Sequence, residues 1–125
     1  MILKTTIVLL LLTSAAFAQS KKEALIKKWS YSGNEEFGVV RPPDAAMKND
    51  FLEIKTDGTF IMIKEGKEIT GSWMLNEKAA IITFTNLKTK KTMSYNLKSV
   101  DDKQLVMEYQ TPDLVRTKYH YHVAQ

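Results

Sequence analysis

The sequence predicts an all-β protein: a single up-and-down antiparallel β-barrel of about eight strands, with a short N-terminal helix. Three observations carry this prediction. Beyond residue 50, short segments of alternating apolar and polar residues follow one another, separated by turn residues. Pairing these segments through their turns sends the apolar side chains to the same face at successive hairpins. A sheet of that size with one apolar face loses both exposed edges by closing into a barrel.

Length and composition limit the possible functions. The chain has 125 residues, no cysteine and a formal net charge of +4. This length allows one domain, and the lack of cysteine excludes disulfides, thiol nucleophiles and cysteine-bearing metal sites. The basic cluster Lys88, Lys90 and Lys91 is confined to a predicted turn, whereas a nucleic-acid groove needs a wider basic stripe. We therefore expect no nucleic-acid partner.

Residues 1–18 have the order of a secretory signal peptide. Lys4 gives a positive start, an apolar run follows, and Ala16 and Ala18 supply the small residues of a cleavage site. The run is much shorter than the roughly 20 apolar residues of a spanning helix, and no cysteine follows it for lipid attachment. We expect cleavage after Ala18 and a domain over residues 19–125. The protein is then exported, soluble and not lipidated, in the periplasm or outside the cell, with no stable membrane anchor.

The predicted elements begin with a helix. Ser20 and Glu23 have the spacing of a capping box, and good helix formers continue over residues 21–28. A first strand begins near Trp29. The later strands are predicted over residues 51–55, 59–64, 67–76, 79–85, 92–100, 104–110 and 115–123.

The turns set the predicted register. A three-residue loop over residues 56–58 places Ile54 opposite Phe60, whereas a two-residue Asp57-Gly58 loop would turn Ile61 and Ile63 inward instead. The further hairpins are predicted to pair Met62 with Ile69 across Glu65-Gly66, Trp73 with Ile82 across Glu77-Lys78, Leu97 with Met107 across residues 101–103, and Tyr109 with Val115 across residues 111–113.

Several strings resemble the small bacterial exported lipocalin-like domain family. One runs from Asn49 through Asp57-Gly58-Thr59 to Phe60, and another is Gly71-Ser72-Trp73-Met74-Leu75. The resemblance covers residues 25–123, and its motifs are turn and packing motifs. It therefore implies a lipocalin-like barrel and export, and it does not indicate a ligand.

Five inward aromatic residues form the candidate ligand-binding site. They are Trp73, Tyr95, Tyr109, Tyr119 and Tyr121. Buried tyrosine hydroxyls need partners, so either they bond one another and Thr117 in a filled core, or they line a cavity with polar tips. Eight-stranded barrels are compatible with both arrangements.

The longest predicted connection, over residues 34–50, is the candidate lid. It carries the apolar residues Phe37, Val39, Val40 and Met47. Loops of this length are uncommon and often functional, and its position resembles the loop that covers the mouth of lipocalins. The alternative is a loop that merely covers Phe51, Ile61 and Ile63 on the outer face.

No residue cluster predicts catalysis or metal binding. His120 and His122 share one strand face, but Arg116 and Lys118 on that face repel a cation. The paired carboxylates Asp101-Asp102 and Glu35-Glu36, together with Asp57, lie in predicted turns or loops, where turn chemistry explains them. No strained nucleophile turn is present. We expect no enzyme activity, no metal and no cofactor.

These observations predict an exported, non-catalytic binding protein for a small apolar or amphipathic ligand. The alternative is a protein-interaction module of the cell envelope. In that case the barrel has a solid core, and the loop or an outer apolar patch meets a protein partner that the sequence does not identify.

Overall fold

The computed structural model describes residues 20–112 and 114–124, which form one helix and nine antiparallel strands. The predicted signal peptide, residues 1–18, lies outside the described residues. The helix α1 spans Lys21–Leu25. The strands are β1 (Lys28–Glu36), β2 (Val39–Arg41), β3 (Phe51–Ile54), β4 (Thr59–Lys64), β5 (Lys67–Asn76), β6 (Ile81–Asn86), β7 (Thr92–Val100), β8 (Gln104–Gln110) and β9 (Arg116–Val123).

The sheet closes into an eight-stranded up-and-down barrel. Its strands follow the order β1-β3-β4-β5-β6-β7-β8-β9, and β9 pairs back onto β1. The short strand β2 lies outside this ring and pairs with residues 34–36 of β1. The predicted fold class is therefore confirmed. The predicted connection over residues 34–50 is partly wrong, because its first residues continue β1 and residues 39–41 form β2.

The helix begins as predicted and ends early. The Ser20 hydroxyl oxygen accepts a hydrogen bond from the Glu23 backbone N–H at 3.2 Å, which satisfies a free donor of the first turn. The helix stops at Leu25, because the Lys27 carbonyl accepts from Ile54 N–H at 3.0 Å and begins the pairing of β1. The Trp29 indole N–H donates to the Leu25 carbonyl at 2.9 Å. Leu25 is fully buried, so α1 covers one end of the barrel.

The two ends of the barrel differ. The closed end carries α1 and the turns over residues 55–58, 77–80 and 101–103. The open end carries the Phe37-Gly38 hairpin tip, the loop over residues 42–50, the turns over residues 65–66 and 87–91, and the connection between β8 and β9.

Three predicted registers are confirmed. Ile54 pairs with Phe60, so Phe60 and Met62 point inward and the alternative with Ile61 and Ile63 inward is excluded. Met62 pairs with Ile69 across the two-residue Glu65-Gly66 turn. Leu97 pairs with Met107 as well.

The predicted β5–β6 register is wrong by two residues. Trp73 pairs with Phe84 and not with Ile82, because the turn contains four residues, 77–80. The Asn76 side-chain oxygen accepts from the Ala79 N–H at 3.1 Å, and Ala80 adopts a φ of +53°. A shift of two residues keeps every side chain on its face, so the predicted inner and outer faces survive the correction.

The β8–β9 register is displaced in the same way. Tyr109 pairs with Thr117 and not with Val115, because β8 and β9 meet at the pair Gln110 and Arg116. Thr111 N–H donates to the Val115 carbonyl at 2.9 Å, and Leu114 adopts a φ of +69°. The even displacement again preserves the inward direction of Tyr119 and Tyr121.

Apolar side chains fill the closed half of the barrel. The ring centroids of Phe60 and Phe84 lie 4.9 Å apart in an edge-to-face contact, and Trp73 is buried at the closed end. The closed half is therefore solid, which leaves the open end as the place for a cavity.

In residues 20–112 and 114–124, no helix combines the length and apolar character needed to cross a membrane.

Candidate functional site

A cavity of about 240 Å³ enters the barrel from the open end. We call it the tyrosine cavity. Strands β1, β4, β7 and β9 supply its walls, and the loop over residues 42–50 and the β4–β5 turn border its mouth. Its lining residues are Tyr31, Asn34, Met47, Asp50, Met62, Ile63, Lys64, Glu65, Tyr95, Tyr119 and Tyr121.

The loop over residues 42–50 is held by its own turn chemistry. The Asp44 carboxylate accepts hydrogen bonds from the backbone N–H groups of Ala46, at 3.0 Å, and Met47, at 3.2 Å. Asp50 N–H donates to the Met47 carbonyl at 3.0 Å. These bonds place the Met47 side chain at the mouth of the tyrosine cavity.

Asp50 ties this loop to two neighbouring elements. Its backbone carbonyl accepts from Tyr31 N–H at 3.0 Å. Its carboxylate oxygen Oδ2 accepts from Glu65 N–H at 2.8 Å. Glu65 and Gly66 both have positive φ, as a two-residue hairpin turn requires, so Asp50 supports an uncommon conformation at Glu65. The Asp50 side chain lines the tyrosine cavity, yet the residue is only 8% exposed.

Two aromatic pairs contribute to the cavity wall. The rings of Tyr31 and Tyr121, which are paired across β1 and β9, meet edge to face with centroids 5.6 Å apart. Tyr95 and Tyr119 also meet edge to face, at 6.0 Å. Such pairs prefer this geometry because the positive edge of one ring faces the negative face of the other.

The tyrosine hydroxyls do not satisfy one another. In the described part of the chain, the hydroxyls of Tyr31, Tyr119 and Tyr121 have no hydrogen-bond partner, and Tyr95 makes only a long 3.9 Å contact with the sulfur of Met93. Thr117, the partner that the filled-core alternative requires, donates instead to the Glu36 carboxylate at 2.9 Å. Polar tips without a protein partner in the described chain therefore border the tyrosine cavity.

Burial keeps these hydroxyls protonated. It raises the pKa of Tyr31 and of Tyr95 to about 12, and it also raises the pKa of Tyr119 and Tyr121. The Asp50 charge adds a smaller contribution to the raised pKa of Tyr31 and Tyr121. At neutral pH each phenol therefore retains its proton and can donate a hydrogen bond.

Three of the five predicted aromatic site residues line the cavity: Tyr95, Tyr119 and Tyr121. Trp73 lies at the closed end, where its indole N–H donates to the Lys55 carbonyl at 3.0 Å. The ring centroids of Tyr109 and Tyr95 lie 5.8 Å apart, and Tyr109 remains 38% exposed. Neither Trp73 nor Tyr109 borders the tyrosine cavity. Binding by any of the five stays a prediction.

The candidate lid residues separate in the structure. Met47 lines the mouth of the cavity. Phe37, Val39 and Val40 lie at the tip of the β1–β2 hairpin, where they are exposed and do not border the cavity. A hairpin takes the place of half of the predicted loop, and it carries these three side chains away from the mouth.

Tyr31 and Asp50 also line the tyrosine cavity, and the sequence did not predict either residue as part of the candidate site. Tyr31 has a detectable signal: it follows the buried Trp29 by two residues, so strand alternation turns both side chains inward. Asp50 has no comparable signal, because an aspartate at the end of a polar loop resembles any turn residue. Its burial depends on the β4–β5 turn, which comes later in the chain.

The outer surface of the described chain carries open grooves, and one of about 950 Å³ lies along Met74, Asn76 and Ile81. The His120 ring nitrogen lies 3.1 Å from the Glu35 carboxylate across β1 and β9, and in the described residues no three His, Asp or Glu side chains meet in a group that could hold a metal ion. A shallow groove of about 410 Å³ lies over Gly71 on the outside of the barrel. It does not enter the interior.

Comparison with known proteins supports the fold. No protein-family model and no curated protein matches the sequence. The structure is similar to the crystal structure of a lipocalin-like protein from Bacteroides uniformis, with a TM-score of 0.61 and 17% sequence identity. The match covers 81% of this chain and 99% of that chain. The described chain therefore folds as a lipocalin-like domain.

Proposed function

We propose that this protein is an exported, non-catalytic binding protein for a small amphipathic molecule. One observation carries the proposal: the tyrosine cavity has aromatic walls, and three of its tyrosine hydroxyls have no protein partner in the described chain. Small-molecule sites combine a concave apolar surface with a few polar groups that orient the guest. The signal-peptide pattern of residues 1–18 supports export.

The volume of the cavity limits the size of the guest. With about 30 Å³ for each water-sized group, the 240 Å³ of the cavity hold roughly eight such groups. An engineered cavity of about 150 Å³ is sufficient for benzene. A single ring with a short polar arm therefore fits, whereas most of a long acyl chain would remain outside the barrel.

The chemistry of the lining residues supports binding without catalysis. The raised pKa values of Tyr31 and Tyr95 make these phenols poor bases and poor nucleophiles at neutral pH. One oxygen of the Asp50 carboxylate, Oδ2, accepts from the Glu65 backbone N–H. In the described chain, no second carboxylate or imidazole lines the tyrosine cavity from within the barrel.

Ligand-observed NMR with a library of small aromatic and aliphatic amphipathic compounds tests the proposal. We expect some of them to bind the wild-type protein saturably. Met47→Trp, which fills the mouth, should weaken their binding about tenfold or more. Val40→Trp is the matched control: it adds the same ring to the exposed hairpin and should leave binding unchanged. Equal effects of the two substitutions, or no binding to the wild-type protein, would contradict the proposal.

The β1–β2 hairpin favours a second candidate function, the protein-interaction module. Phe37 is 86% exposed, and Val39 and Val40 are exposed beside it. Exposed apolar clusters often mark interaction sites. The solid core of this alternative is present at the closed end only. If no small compound binds the tyrosine cavity, this second function becomes the leading one.

A further inference from the structure

The charge inside the tyrosine cavity indicates the chemical class of its guest. Three charged residues of the described chain line the cavity. Asp50 is buried, whereas Lys64 and Glu65 are exposed at the mouth. Charges interact more strongly in the interior than in contact with water. The buried carboxylate is therefore the charged group that we expect to interact most strongly with a guest inside the cavity.

The Asp50 carboxylate has unused capacity to accept hydrogen bonds. Its oxygen Oδ2 receives the Glu65 N–H, and Oδ1 receives no donor from residues 20–112 or 114–124. An ionised carboxylate offers about four acceptor sites, and a buried charge is stabilised when it is paired. A donor with a positive charge satisfies both needs.

The aromatic wall favours the same charge. The negative face of an aromatic ring attracts a cation within about 6 Å of its centroid. The protein already shows this attraction, because the ammonium group of Lys64 lies 5.6 Å from the centroid of the Tyr119 ring. Lys64 is exposed and reaches this ring from the mouth of the cavity.

We propose, on the basis of the binding function proposed above, that the guest is a small organic amine whose ammonium group lies between the Asp50 carboxylate and the tyrosine rings. An anionic guest would meet the Asp50 charge. A neutral guest could accept hydrogen bonds from the tyrosine hydroxyls, but it would bring no positive charge to pair with the Asp50 carboxylate. The cation alone matches the carboxylate and the ring faces together.

Three compounds of similar size that differ in charge test this inference by titration calorimetry. They are phenethylamine, 2-phenylethanol and phenylacetate, each a single ring with a two- or one-carbon arm. We expect the wild-type protein to bind the amine about tenfold or more tightly than the other two. An equal or greater affinity for 2-phenylethanol or phenylacetate overturns the amine proposal and leaves the binding function intact. No binding by any of the three, together with no hit in the compound library, overturns both.

Two substitutions with opposite expected effects on amine affinity test whether the charge of Asp50 is responsible for amine binding. Asp50→Asn retains an oxygen for the Glu65 N–H and removes the charge, so amine affinity should fall about tenfold while affinity for 2-phenylethanol stays the same. Lys64→Met retains the apolar stem and removes the competing ammonium group, so amine affinity should rise. An Asp50→Asn protein that binds the amine as tightly as the wild type overturns the proposal. If Asp50→Asn does not fold, the amine affinity of Lys64→Met and the comparison of the three compounds test the proposal instead. Weaker amine binding by Lys64→Met than by the wild type would count against it.

Discussion

Trp73 and His122 lie on opposite faces of the barrel wall. Trp73 is 6% exposed and its indole N–H is bonded, whereas His122 is exposed on β9. Trp73→Ala should lower the free energy of unfolding by about 3–5 kcal/mol, the usual cost of removing a large core side chain. His122→Ala should change it by no more than about 0.5 kcal/mol.

Urea unfolding of the two variants followed by far-ultraviolet circular dichroism measures this difference. The expected result is a large shift of the unfolding midpoint for Trp73→Ala and almost none for His122→Ala. Two equally mild shifts would show that the assignment of inner and outer faces is wrong.

The inward direction of single side chains could be predicted more reliably than their roles. Tyr95, Tyr119 and Tyr121 point inward because strand alternation alone determines their face. Trp73 points inward for the same reason, but alternation does not say at which end of the barrel a residue lies. Asp50 could not be predicted at all, since its burial arises from contact with a turn that is distant in the sequence.

Strands β5 and β6 approach each other closely at Gly71. A Cβ atom added at this position would lie 1.8 Å from the Thr85 carbonyl oxygen, which is far inside van der Waals contact. Gly38, at the tip of the β1–β2 hairpin, has a φ of +78°, and a Cβ atom added there would have no neighbouring atom within 4 Å. The first glycine is needed for space and the second for its backbone conformation.

Gly71→Ala should therefore be the more damaging of the two alanine substitutions. It forces the β5–β6 backbone apart, which we expect to cost more than about 3 kcal/mol, whereas Gly38→Ala should cost about 1–2 kcal/mol for a left-handed backbone. Thermal unfolding of both variants gives the comparison. A Gly71→Ala protein as stable as Gly38→Ala would be inconsistent with this close approach.

The lengths of two turns could not be predicted from residue types. Ala80 and Leu114 both adopt positive φ, a conformation that sequence rules assign to glycine or asparagine. Side-chain and backbone hydrogen bonds at Asn76 and Thr111 accompany these turns. The predicted faces nevertheless hold, because both turns exceed their predicted length by two residues and the side-chain period of a strand is two.

The barrel as a whole combines a filled half with a hollow half. Its apolar core provides stability at the closed end, and the tyrosine rings at the open end are wholly or partly buried while their hydroxyls have few protein partners in the described chain. The pKa of Tyr95 is raised to about 12 chiefly by burial, compared with 10.0 for the free side chain. This difference makes the stability of the fold depend on pH in the alkaline range.

Below pH 10 the Tyr95 phenol is protonated in both the folded and the unfolded chain, so it does not make the free energy of unfolding change with pH. Between about pH 10 and 12 the unfolded chain loses this proton first, so Tyr95 lowers the free energy of unfolding by up to about 1.4 kcal/mol per pH unit. Tyr95→Phe removes this contribution and should flatten the alkaline decline. Urea unfolding on both sides of pH 10 checks the difference, and identical slopes for the two proteins would contradict it.

Both ends of the described chain lie at the closed end of the barrel. Ala124 N–H donates to the Lys28 carbonyl at 2.9 Å, and Val123 N–H to the Lys103 carbonyl at 2.8 Å, while α1 covers the same end. A fluorescent reporter, an affinity handle or a surface tether fused beyond residue 124 would project from the pole opposite the cavity mouth. The protein can thus be immobilised on a sensor with its entrance facing the solution.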